Sequence, residues 1–155
     1  MSESGWLNYA RGLVEDALVA CEGWPDIVLE LQAEGIEADV IADVLREHNA
    51  WIAEAREWKA HGYPYDEVAM HLREEVAAEW EYVAKALMEV GLLPADMLRV
   101  LLPLLERDEV PPVVRAALLE GPENESEYET WEVISYYFPG LDRASIQAVA
   151  GGGQA

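Results

Sequence analysis

The chain has 155 residues, 52% of them hydrophobic, with 31 acidic against 10 basic side chains and a net charge of -21. Six tryptophans and seven tyrosines supply apolar surface that a disordered acidic chain lacks, so intrinsic disorder is excluded and one cored domain is expected. The negative field excludes direct binding of nucleic acid or anionic membranes and favours encounter with basic surfaces.

No run approaches the roughly 18 apolar residues of a membrane span. The start, Met1-Ser2-Glu3-Ser4, lacks the basic and apolar segments of a signal peptide, and a cytoplasmic location is expected. Cys21 is the only cysteine, which rules out an internal disulfide and predicts a thiol buried on a helix face.

In chain order, Leu7, Ala10, Leu13, Val14, Ala17, Leu18 and Cys21 have the spacing of an amphipathic helix over 4–21, with Ser4 as its cap. Gly23-Trp24-Pro25 breaks it, and a second helix uses Ile27, Val28 and Leu31 up to Gly35. A pattern then occurs twice at an offset of 27 residues: Gly35-x3-Asp39-x-Ile41-Ala42-x2-Leu45-Arg46-Glu47 and Gly62-x3-Asp66-x-Val68-Ala69-x2-Leu72-Arg73-Glu74. It predicts two long central helices. The first covers 37–60; the second covers 65–90, with Val68, Leu72, Val76, Trp80, Val83, Leu87 and Val90 inward and Glu74, Glu81, Lys85 and Glu89 outward. Glu81 and Lys85 have the order of a favourable helical ion pair.

Beyond Gly91 the prolines divide the chain into shorter helices. Pro94 opens a leucine-rich one that Pro103 kinks or shortens, and Pro111-Pro112 opens another that Gly121 stops. Ser126 and Glu129 fit a capping box, although Trp131 to Phe138 also reads as an aromatic strand, so 126–138 stays open between helix and strand. Asp142 caps a last helix, and 151–155 is a tail. The fold class is an all-α single-domain bundle of about seven or eight helices over 1–150. Subdivision into 1–91 and 92–150 is the alternative.

The repeated Gly-x3-Asp-x-[Ile/Val]-Ala-x2-Leu resembles the first helix of helix-turn-helix proteins. The resemblance implies a recognition helix carrying Arg or Lys, but Glu74-Glu75-Val76-Ala77-Ala78-Glu79-Trp80-Glu81 follows, which argues against DNA binding. Glu74, Glu75 and Glu79 are also similar to the helical carboxylates of all-α nucleotide pyrophosphatases of the MazG type, which implies Mg²⁺ beside a triphosphate. Here the last glutamate is one position from that pattern, about 100° around a helix. His71 and Glu75 share a helix face, and no zinc or di-iron motif contains His48, His61 or His71. No metal or cofactor is expected.

Glu120, Glu123, Glu125, Glu127, Glu129 and Glu132 form the most distinctive polar stretch, with no basic residue between Arg115 and Arg143. In an extended chain, alternate carboxylates line one side at roughly 6.6 Å intervals, as a nucleic-acid strand presents phosphates. Three explanations of the acidity compete. The favoured one is a non-catalytic inhibitor that mimics nucleic acid and covers the basic site of a nuclease, CRISPR effector, restriction enzyme or repressor, as phage anti-defence and immunity proteins do. Its partner-binding residues would be Glu74, Glu75, Glu81, Glu123, Glu125, Glu127, Glu129 and Glu132, with Tyr128 as an anchor. The other two are an acidic helical adaptor and adaptation to high salt; as a function, the Mg-dependent pyrophosphatase stands behind the adaptor. Adaptation to high salt would favour Asp, whereas Glu carries most of the charge here.

Overall fold

The computed structural model describes residues 2–120 and 125–137, and among them all regular structure is helical. The helices are α1 Glu3–Val19, α2 Trp24–Ala33, α3 Ala38–Glu47, α4 Ala50–Ala60, α5 Tyr65–Glu75, α6 Trp80–Glu89, α7 Pro94–Leu101, α8 Val110–Glu120 and α9 Glu125–Tyr137. Two single-turn 3-10 helices, Leu102–Leu104 and Arg107–Glu109, lie between α7 and α8. The all-α bundle expected from the sequence forms, and the segment from Glu125 to Tyr137 is helix rather than strand. The helix capped by Asp142 and the tail lie outside the described residues.

One corner recurs between these helices. A residue with positive φ ends a helix, one residue follows, an extended residue caps the next helix, and that helix begins. Cys21 (φ 61°), Gly35 (77°), Gly62 (89°), Ala77 (54°) and Gly91 (118°) take the first position. Gly23, Glu37, Pro64, Glu79 and Leu93 take the extended one. After α1, α2, α4 and α6 the helix end is closed by paired bonds of the Schellman type, such as Gly35 N–H to Gln32 O at 3.0 Å and Ile36 N–H to Leu31 O at 3.3 Å. With Asn49 (φ 51°), the positive-φ residues fall at 21, 35, 49, 62, 77 and 91, a spacing close to one short helix plus its corner. The repeated sequence pattern is therefore this corner glycine followed by the opening of α3 or α5, with Asp39 and Asp66 in the first turns.

The two long central helices do not form, because each is broken in the middle. Over 37–60 the chain turns at His48-Asn49, where asparagine adopts the left-handed conformation at modest cost. Over 65–90 it turns at Val76 to Glu79, although Ala77 and Ala78 are strong helix formers. Tertiary contacts override that preference. Trp51 donates its indole N–H to the Val76 carbonyl at 2.9 Å, satisfying an acceptor at the broken helix end. Ala78 becomes fully buried. The apolar stripe survives the break: Val68, Leu72, Val76, Val83 and Leu87 are fully buried, with Trp80 and Val90 packed at the margin.

Smaller corrections follow the same logic. Ser2, not Ser4, caps α1, its hydroxyl accepting from Gly5 N–H at 3.1 Å. Cys21 is exposed, since α1 ends at Val19 and the cysteine occupies the corner. α7 ends at Leu101 and Pro103 sits in the 3-10 turn, as a proline that cannot extend a helix requires. Lys85 stands 5.3 Å over the Tyr82 ring and forms no ion pair with Glu81 among the described residues.

Packing is serial. α1 packs on α2 and α3, α4 on α5 and α6, α6 on α7 and α8, and α7 on α8 and α9, so the principal partners are one or two helices away in the chain. α7 also touches α5, which makes packing continuous across Gly91. Helices of ten or eleven residues are marginal alone. Here each is held by its buried face, for example Val40, Ile41, Val44 and Leu45 of α3.

Candidate functional site

Among the described residues, six of the sparse cations are engaged within the protein. Arg11 Nε donates to both oxygens of Glu47 at 2.9 Å, and Arg46 and Arg99 pair with Asp43 and Asp96 one turn earlier. Four cations rest on aromatic faces: Arg46 4.9 Å and Lys85 5.3 Å from the Tyr82 centroid, Lys59 4.0 Å from Tyr65, and Arg73 5.7 Å from Trp80. Tyr82 is itself stacked on Trp51 at 4.8 Å. Four cations thus lie over aromatic rings, and only one of those four, Arg46, is also ion-paired among the described residues. Most exposed carboxylates among the described residues are left without a cation.

Where carboxylates crowd, titration responds. A hydrogen bond with Glu30, partial removal from water, and the charges of Glu30 and Asp26 push the Glu22 carboxyl above its ordinary range. The Arg11 hydrogen bond and charge, assisted by the nearby His48, hold Glu47 below its ordinary range against the opposing effect of burial. Tyr9 donates to Glu34 at 3.1 Å, which raises the phenol.

The expected partner-binding residues do not converge. Glu74 and Glu75 are exposed at the end of α5, Glu81 is half-buried in the first turn of α6, and Glu132 is exposed on α9. Glu132 lines a concavity of about 350 Å³ with Arg99, Val133, Tyr136 and Tyr137. The backbone of Glu125, Glu127, Tyr128 and Glu129 belongs to α9, so the extended carboxylate ribbon does not form there. Their side chains, and Glu123 altogether, lie outside the described residues.

Glu81 belongs to a second concavity, of about 340 Å³, where the end of α5 and the start of α6 face the 3-10 turn before α8. Arg73, Glu79, Trp80, Asp108 and Glu109 line it as well. Trp80 donates its indole N–H to Glu109 at 3.0 Å, and the other Glu109 oxygen accepts the Glu106 N–H at 2.8 Å, which fixes both groups. The cleft is not legible in the sequence, because Trp80 and Glu109, which join its halves, are 29 residues apart. The local signal was a tryptophan between two glutamates at a helix start.

A buried pair was also missed. His71 Nε2 donates to Glu54 Oε2 at 2.6 Å, with the residues 8% and 5% exposed, and the imidazole stacks on Trp58 at 3.7 Å. Glu75, which shares a helix face with His71 in the sequence, is exposed, and the imidazole is packed instead. The signal for Glu54 was its place among Trp51, Ala55 and Trp58, at the spacing of the buried face of α4. Among the described residues no group of three or more His, Cys, Asp or Glu is arranged to hold a metal ion, and no helix is long and apolar enough to cross a membrane. No protein-family model matches the chain, and comparison with curated proteins and with solved structures finds no match.

Proposed function

We propose that this protein is a non-catalytic inhibitor that offers surface carboxylates to the basic, nucleic-acid-binding face of a partner protein. The supporting observation is the placement of its cations. With Arg46, Lys59, Arg73 and Lys85 over its own aromatic rings, most exposed carboxylates among the described residues have no cation beside them. Glu74, Glu75 and Glu132 are such groups, and the acidic run through Glu123, Glu125, Glu127 and Glu129 extends them in sequence. Carboxylates in place of phosphates would pair with arginines and lysines that line a nucleic-acid channel. Long-range attraction would raise the association rate.

Affinity capture from lysate with salt-step elution tests this. The expected partners elute as salt rises, are displaced by a short DNA duplex, and bind less tightly when Glu123, Glu125, Glu127 and Glu129 are changed together to Gln. A complex that is insensitive to salt and that DNA does not displace overturns the reading. It would favour the helical adaptor instead, which has its own support in Val19, 85% exposed at the end of α1, near exposed Leu18.

A further inference from the structure

We propose that the cleft at Trp80 is a seat for an arginine side chain of the partner. The inference rests on the basic-partner reading above and names the contact that would give it geometric specificity.

The corner at Ala77 sets the geometry of the cleft. Its positive φ turns the chain so that Trp80 opens α6 beside the Arg107–Glu109 turn, with one edge of the ring anchored on Glu109. The indole therefore forms a fixed wall of a cleft of about 340 Å³. Glu109 has both oxygens engaged, by Trp80 and by the Glu106 amide. Glu79, Glu81 and Asp108 line the same space and, among the described residues, have no ion-pair or side-chain hydrogen-bond partner.

Arg73 shows what chemistry the wall accepts. Its guanidinium stands 5.7 Å from the Trp80 centroid and donates to the Ala78 carbonyl at 3.4 Å. Both distances are near the outer limits of such contacts, so this exposed arginine holds the position loosely. The remaining carboxylates keep the cleft negative with Arg73 in place. A planar cation that stacks on an aromatic face while donating in-plane hydrogen bonds to carboxylates fits the cleft better than a compact, strongly hydrated ammonium.

The test uses the full-length protein with octa-arginine and octa-lysine peptides as probes, and follows the Trp80 indole N–H by NMR. Octa-arginine is expected to shift that resonance saturably and octa-lysine to shift it much less. Changing Glu81→Gln with Asp108→Asn should weaken octa-arginine binding about tenfold. Removing the same charge elsewhere, with Glu15→Gln and Asp16→Asn on exposed positions of α1, should weaken it by no more than about twofold. These surface changes leave the core intact, and thermal melts check that.

Three results overturn the seat while leaving the acidic-surface reading in place. They are salt-dependent peptide binding with a stationary Trp80 resonance, equal weakening by the two double variants, and equal response to the two peptides. If neither peptide binds at low salt, the basic-partner reading falls together with the seat.

Discussion

Ala77 holds a φ of 54°, a conformation that glycine adopts freely and that costs other L-residues about 1 kcal/mol or more. Ala77→Gly should therefore stabilise the protein by about 0.5–1 kcal/mol in urea denaturation, after the loss of a partly buried methyl. The sign is diagnostic. In an unbroken helix over 65–90, the same change would destabilise by about 1 kcal/mol. Local preference at this residue points one way and the tertiary environment the other, which is why the break was not legible. A sequence shows that alanine favours helix; it does not show that the Trp51 indole will meet the Val76 carbonyl.

At the scale of the helices, inward faces were legible because apolar residues keep their side of the chain whether or not a helix continues through them. Val68, Leu72, Val83 and Leu87 are buried as expected although they belong to two helices. Corners were legible at Gly35, Gly62 and Gly91, where glycine marks a positive φ, and after Cys21, where Gly23-Trp24-Pro25 marks the break; they were hidden at Asn49 and Ala77, where no such signal stands. Of the candidate site, single acidic positions such as Glu81 could be read, but the cleft around it depends on a contact between distant segments. The α4–α5 contact is the clearest case of a pairing out of reach, because Glu54 and His71 belong to different helices. Removing one member of a buried pair strands the other. Glu54→Ala should cost about 3 kcal/mol, and the double change Glu54→Leu with His71→Phe should lie closer to the parent than either single change, as read by urea denaturation.

The whole molecule carries its excess charge on a serial array of short helices. Self-repulsion at net -21 lowers stability and is screened by salt, so the thermal transition should rise on adding NaCl. Lowering the pH from neutrality towards about 5 should act in the same direction through Glu22. Its folded-state pKa is raised, so the stability linked to it is full below the unfolded value and is lost as pH rises through the folded one. The Glu47 contribution has the opposite sign, since its pKa is lowered, and it is lost only as pH falls through that lowered value. Glu22→Gln should accordingly raise the melting temperature at neutral pH by more than it does near pH 5, which calorimetry at the two values would detect. The corner that recurs from Cys21 to Gly91 has a mechanical consequence as well. Because each helix grips chiefly its next one or two successors, a pull on the two ends loads these joints in series. The array would then extend by yielding one joint after another, and its resistance to stretching would be set by the weakest corner rather than by the sum of them.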